Sequence, residues 1–339
     1  HLDCPTLRLT NHHGLMIAGE AALSNWDAGM DMYIYGKLGN LTMTKEGINV
    51  LMTNLTGKVP PILQRLDYIR FNGEAAGYLH DLTLTGLFHT GAGMVKTDVM
   101  MSIDEQSMSR TYSGSVASAD LDLGKLLNQE KKFGKVDFNV ELKGFNYKNR
   151  YPESYIKGII SSFEYSQYQY ENIMLDGVYK DGGFNGRLSM DDANGSVQID
   201  GNFNVAKTIP DFNLKASVKN LRPHDLHLSD KYENASISLD LTADFTGKSI
   251  DDMNGRISLD SLQLNAPDEG GCFLDNLTIT AGQVSGEKEL RINSSFMTAV
   301  IRGDYSYHTI PASVVKTVQR YIPSLLTIKD NMPEPHNNF

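Results

Sequence analysis

Few places in this 339-residue chain put reactive side chains at a working spacing. His224 and His227 stand three residues apart beside Asp225 in Pro-His-Asp-Leu-His, and two imidazoles so spaced can share a zinc ion. No third and fourth ligand follow at a matching interval, and a polar loop after Pro223 explains the run equally well. Thr90-Gly-Ala-Gly-Met-Val-Lys-Thr97 has the glycines of a phosphate loop but lacks its Gly-Lys-Ser/Thr core, so it reads as a turn between strands. Asp191-Asp192-Ala-Asn-Gly and Asp251-Asp252-Met-Asn-Gly resemble parts of a calcium loop without its alternating ligands or closing Glu. Their Asn-Gly pairs predict hairpin turns instead. His12-His13, just before Gly14, is another expected turn. With no nucleophile elbow, HExxH or carboxylate pair, the expectation is a protein that is not an enzyme, with no catalytic residue, metal or cofactor.

What remains is a pattern. Lys-Val-Asp-Phe-Asn-Val-Glu-Leu-Lys over 135–143 alternates apolar and polar residues strictly, and the same beat recurs along the chain. Side chains on a strand point alternately to opposite faces, so this beat makes a sheet with one oily and one wet face. The candidates for the oily face are Val136, Phe138, Val140 and Leu142, then Val197, Ile199 and Phe203, then Phe212, Leu214 and Val218, then Ile237, Leu239, Leu241 and Phe245. Glycines inside the strands, as in Leu175-Asp-Gly-Val-Tyr179, Phe184-Asn-Gly-Arg-Leu188 and Ile199-Asp-Gly-Asn-Phe203, mark places where a sheet coils. Phe163, Tyr165, Tyr168 and Tyr170 make one stretch aromatic, either to meet a ligand or membrane surface or because aromatics suit strands.

Two segments change period. Ile48, Leu51, Met52 and Leu55 fall at i, i+3, i+4 and i+7, with Thr44 as N-cap and Gly57 as stop. Pro60 and Pro61 follow, then Ile62–Leu66 as a second short helix, giving a helical insert at about 44–66. Pro311 opens a helix at about 311–326 with Val314, Val318, Ile322 and Leu325 on one face, and 330–339 is expected to be an unstructured tail. Both helices are candidates to gate an apolar groove, or simply to cover the apolar face or a sheet end.

Composition narrows the partners. With 31 basic against 41 acidic residues the net charge is −10, which argues against nucleic acid. Cys4 and Cys272 either pair with each other or stay free. No apolar run approaches the roughly 20 residues of a membrane span. No linker divides the chain, so residues 1–329 are expected to form one elongated, all-β unit. The chain begins without Met in strand-like material, the expectation for an internal piece of a longer protein.

Asp122-Leu-Gly-Lys-Leu-Leu127, Phe133-Gly-Lys-Val-Asp-Phe-Asn-Val-Glu-Leu-Lys-Gly-Phe145, Ile160-Ser-Ser-Phe-Glu-Tyr165 and Tyr170-Glu-Asn-Ile-Met-Leu-Asp-Gly177 carry a likeness. Together with Lys58-Val-Pro-Pro-Ile-Leu-Gln-Arg-Leu66 and Phe273-Leu-Asp-Asn-Leu-Thr-Ile279, they resemble the TamB proteins of the Bacteroides group, within the AsmA-like superfamily, over roughly residues 1–326. The resemblance implies an elongated, curled antiparallel sheet shaped like a taco shell around a hydrophobic groove. It implies a periplasmic conduit for phospholipid between the inner and outer membranes. A missing N-terminal anchor would hold it to the inner membrane, and a missing C-terminal region would meet an Omp85-type barrel. Alternatives are a chaperone or scaffold for outer-membrane protein assembly beside that barrel, and a plain structural β-domain.

Overall fold

The computed structural model describes residues 1–104, 106–107, 109–146, 153–230, 233–248, 250–267, 271–304 and 306, excepting the side chains of 55, 56 and 250. Among them the chain is all-β and antiparallel, with a few short helices. Residues divide into two compact units, one of His1–Ser196 with Pro223–Lys231, the other of Val197–Arg222 with Tyr232–Phe339.

The first unit is a meander. Its strands are β1 (Leu2–Thr10), β2 (Leu15–Ser24), β3 (Tyr33–Thr44), β4 (Tyr68–Tyr78), β5 (Asp81–Thr90) and β6 (Gly93–Ile103). They continue as β7 (Arg110–Asp122), β8 (Phe133–Asn146), β9 (Glu153–Tyr165), β10 (Tyr168–Lys180) and β11 (Gly183–Asp192), each antiparallel to the one before. Consecutive pairing through tight turns follows from the alternation and the turn residues. Gly91 and Ala92 turn the chain between β5 and β6, as the failed phosphate-loop reading of 90–97 predicts.

Helices gather at one end of this unit. Helix α1 (Lys45–Thr56) starts where Thr44 accepts a hydrogen bond from the Gly47 amide at 3.3 Å and stops at Gly57, whose φ is 73°. Both ends were legible because capping is local chemistry. A short α2 (Pro61–Gln64) follows the proline pair, and α3 (Leu123–Leu127) interrupts the chain between β7 and β8, capped by the Asp122 carboxylate on the Lys125 amide at 2.8 Å. Their apolar sides meet strand residues in one core of Ile48, Leu66, Ile69, Ala92, Leu121, Leu126 and Val136, with Met52, Leu63, Phe138 and Phe163 against it. Ile48, 2% exposed, contributes about 1.5–3 kcal/mol by leaving water. Lys125 Nζ reaches Asp67 Oδ2 at 2.6 Å and the Gly91 carbonyl at 3.0 Å, while the Arg65 guanidinium donates to the Leu126 carbonyl. The Lys125 ammonium, by hydrogen bond and charge, holds the Asp67 carboxyl below its ordinary range.

Segment 223–230 completes this end. Leu226 is fully buried, the Tyr170 hydroxyl donates to its carbonyl at 2.7 Å, and His227 Nδ1 donates to the Ser166 carbonyl at 2.9 Å. The run is therefore more than a polar loop, because its central leucine supplies packing. The Phe163–Tyr170 aromatics belong to the same packing: Tyr170 is buried, and Tyr168 meets His227 edge-on at 5.8 Å. Burial, with a hydrogen bond to Asp192, pushes the Tyr168 phenol up to about 12.

In the second unit, β12 (Gly195–Asn204) contributes from Val197 onward, followed by β13 (Asp211–Leu221), β14 (Ser236–Thr246), β15 (Asn254–Asn265), β16 (Cys272–Val284), β17 (Glu287–Ser294) and β18 (Thr298–Arg302). From β13 onward each strand is antiparallel to the next. Its core holds Met253, Ala281 and Leu290, with Phe245, Ile257, Ile279, Ile292 and Ile301 packed around them.

Some expectations shift. Strand β3 begins at Tyr33, after positive φ at Asn25 and Gly29 leads into a 3-10 turn at Gly29–Asp31. Asn254-Gly255 is not a turn but the start of β15, the chain having turned already at Ile250–Asp252. Cys4 and Cys272 are free thiols. The helix expected at 311–326, with Val314, Val318, Ile322 and Leu325, and the tail at 330–339 lie outside the described residues, as does the side chain of Leu55.

Candidate functional site

The register of the first unit gathers apolar side chains from every strand onto one sheet face, in four rows. Nearest the helices run Leu9, Ile17, Leu41, Phe71, Phe88, Val95, Ser118, Phe138, Ile160, Ile173 and Met190. The second row holds Leu38, Val116, Val140, Leu175 and Leu188 among glycines, with Thr97 its polar member. The third holds Leu84, Val99, Leu142 and Ile156, again among glycines. The fourth, at the end away from the helices, carries Leu23, Ile34, Leu82, Met101, Tyr112, Tyr179 and Phe184. No charged side chain interrupts these four rows.

Exposure is lowest beneath the helices. Phe71 and Val136, beside the helices, are each 6% exposed, whereas Met101 at the far row is 42% exposed. Among the described residues α1, α2, α3 and segment 223–230 cover only the first end, and the middle rows remain half-exposed. The opposite face is polar. There Tyr155 donates to Asp176 at 2.8 Å and Lys157 meets it at 3.3 Å, and the Tyr155 hydrogen bond first, then Lys157, hold the Asp176 carboxyl low. Ile159 and Met174 break that polarity, beside a shallow cavity of about 480 Å³ that Lys157 and Arg187 also line.

The second unit repeats the pattern. Phe212 stacks on Phe245 with ring centroids 4.7 Å apart. Leu214 leads across Ala243, Ile257 and Ile279 to Ile292, and Ala216 leads across Leu241 and Leu259 to Leu277. Val218 stands opposite Leu239, and Leu221 opposite Ile237. Val197 and Ile199 are half-buried on β12, while Phe203, near its end, is 39% exposed.

Apart from Val197, Ile199 and Phe203 on β12, the expected face residues fall into three groups. Phe138, Val140 and Leu142 stand together on one face of the first unit, Phe138 against the helix-end core and the other two half-exposed beyond it, and the β13 and β14 candidates share a face of the second. Val136 is drawn into the core beneath the helices, where Ile48 and Met52 of α1 also lie; Leu51 is half-buried outside that core. Leu84, Val99, Val116, Ile156, Leu175, Leu188, Ile257 and Ile279 were not singled out, although they alternate in the same way. Glycines stand among them in the rows of the first unit and break the alternation there.

On the polar face of the second unit, Glu289 is 9% exposed at its side chain and pairs with Arg302 Nε at 2.6 Å and Arg291 Nη2 at 3.0 Å. Arg302 first, then Arg291, holds its carboxyl below the ordinary range near 4.3. A depressed acid stabilises the fold above its unfolded pKa, and that contribution is lost as pH falls through the folded value. Glu289→Gln is therefore expected to lower the melting temperature at pH 7 and to leave it unchanged at pH values below the folded pKa, as read by thermal melts across the acid range.

The described residues hold no cluster of three or more His, Cys, Asp or Glu side chains suited to a metal ion, and no helix long and apolar enough to cross a membrane. The fold defines an all-β antiparallel meander with one apolar face in each of its units. Neither a protein-family model, a curated protein nor a solved structure matches the chain.

Proposed function

We propose that the apolar face takes up the acyl chains of phospholipid, the sheet curling around them as a hydrophobic groove. On this reading the chain is a segment of a TamB-like, AsmA-like conduit that carries phospholipid through the periplasm. Further regions would reach an inner-membrane anchor and an Omp85-type barrel. The observation that carries the reading is the uncharged face of the first unit, covered at one end and half-exposed elsewhere.

Dimensions and energies agree with it. From Phe138 to Gly144 the face runs six residues, about 20 Å of strand. One leaflet of a bilayer is about 15 Å thick in its hydrocarbon part, half of a roughly 30 Å core. An acyl chain thus fits along a strand with its head group at the open end. Each buried methylene is worth about 0.8 kcal/mol, so exposing a long chain to water costs on the order of 10 kcal/mol. A conduit must offer continuous apolar surface to offset this, and neighbouring strands about 4.8 Å apart do so in steps far shorter than a lipid.

Purified protein is expected to carry phospholipid visible by native mass spectrometry, and to reload with it after delipidation. Protein that neither retains nor reloads lipid, and instead captures unfolded outer-membrane strands by crosslinking, would sink this reading in favour of the scaffold alternative.

A further inference from the structure

We propose that Leu226, in segment 223–230, is the end stop for acyl chains lying along β9 and β10, and so sets the longest chain that this part of the apolar face accepts. The proposal rests on the acyl-chain reading of the face and adds a chain-length limit to it.

The cover at the helix end differs from strand to strand. Helices α1 and α3 pack into the core that holds Ile69 of β4, Leu121 of β7 and Val136 of β8. Over β10 the cover is segment 223–230. Tyr170, on the apolar face opposite Phe163, donates its hydroxyl to the Leu226 carbonyl at 2.7 Å. His227 Nδ1 lies 2.9 Å from the carbonyl of Ser166, in the turn between β9 and β10. The segment is itself a compact turn, with the His227 amide donating to the His224 carbonyl at 3.0 Å and the Leu228 amide to the Pro223 carbonyl at 2.8 Å. Its two leucines part company. Leu228 is 53% exposed, whereas Leu226 is the one buried side chain of the segment and is fully out of water.

The length of the face brings a chain terminus to this point. From Tyr179, in the row at the open end, to Ile173, in the row nearest the helices, β10 runs six residues, about 20 Å. Tyr170, with Leu226 bonded to it, stands at the next step beyond Ile173. A lipid whose head group is at the open end therefore points its methyl ends at Leu226. A chain matched to one leaflet, about 15 Å of hydrocarbon, ends short of the stop, and a substantially longer one reaches it. Its last methylenes must then stay in water or push Leu226 out. Either is unfavourable, because leucine and methylene are stabilised by the same removal from water.

The experiment loads delipidated protein from mixed vesicles of phosphatidylcholines whose chains run from about 12 to about 20 carbons, lengths that bracket one leaflet. Bound lipid is read by native mass spectrometry. Vesicle and face are both apolar, so loading is expected to be flat with length up to a limit, then to fall about fourfold for each methylene left in water. Leu226→Ala, smaller by about three carbons, should move that limit up by about two to four carbons, whereas Leu226→Met should leave it in place. Hydrogen exchange on the unaltered protein gives a second reading that needs no variant. The His227 and Leu228 amides should exchange about tenfold faster with the longest lipid bound than with the shortest, as the segment is pushed open. If Leu226→Ala fails to fold, the exchange comparison decides alone. Loading without a limit, a limit shared by the parent and Leu226→Ala, or amides that exchange alike with both lipids overturns the end stop while leaving the acyl-chain reading intact. Failure to load any of the lipids overturns both.

Discussion

Gly114→Val is expected to lower stability by about 3 kcal/mol or more, seen as a large fall in the urea midpoint. Gly114 lies in β7 with φ at 142°, a conformation that residues with a side chain rarely adopt. A Cβ placed there would stand 2.0 Å from the Asp98 carbonyl oxygen and 2.6 Å from Val99 Cα, both backbone atoms of the neighbouring strand. Rotating a side chain relieves neither contact, so β6 must move or β7 must change course. Gly114 faces Val99 on one side and Leu142 on the other, and either movement disturbs the third apolar row. Ser113→Val, one position earlier and facing the opposite side of the sheet, is expected to shift stability by no more than about 0.5 kcal/mol. A midpoint for Gly114→Val equal to that of the parent would show that the strand does not need its glycine.

That glycine also shows what could be read from the chain and what could not. Local signals survived intact. Thr44 and Gly57 bracket α1 as their chemistry requires, and alternation over 135–143 becomes β8 with Phe138, Val140 and Leu142 on one side. The limits were set by non-local geometry. Glycines occupy apolar rows because neighbouring backbones approach closely there, as where Gly177 stands opposite Gly186, so the alternation seems broken where the face is continuous. Bulges add to this. Between β8 and β9 the register shifts at Asp137 and Phe138, with Asp137 opposite Ser162 but Phe138 opposite Ile160, so that the odd-numbered Phe163, opposite Val136, joins the side of the even-numbered Ile160. No period-2 reading survives such a slip.

Burial was the other blind spot. Val136 and Val140 look identical in the sequence, yet α3 and its neighbours cover the first and leave the second half-exposed. Leu226 lay inside a run of histidines, aspartate and proline and was read with them, although it is among the most buried side chains described. Which apolar residue ends in core and which on an open face depends on where the helices dock. That is a fact about packing partners far apart in the chain, not about period.

Val140→Asp is expected to reduce bound lipid about tenfold or more while leaving the fold in place. Val140 sits mid-face, with Val116 opposite on one side and Gly158 on the other, and Leu175 one strand further along the same row. In the lipid-free protein it is half-exposed, so a carboxylate there stays hydrated and the sheet tolerates it. Acyl chains laid along the row would strip that water away. An ionised group transferred to such surroundings without a partner is strongly disfavoured, and no cation lines this row to provide one. The loss of even 1.4 kcal/mol in binding is tenfold, which native mass spectrometry of reloaded protein resolves. Asn139→Asp introduces the same charge one residue earlier, on the polar face beside Lys157, and is expected to bind lipid as the parent does. The contrast between adjacent positions separates the face from the charge. Equal loss in both variants would indicate a general electrostatic effect, and no loss in either would remove the apolar face as the place where lipid binds.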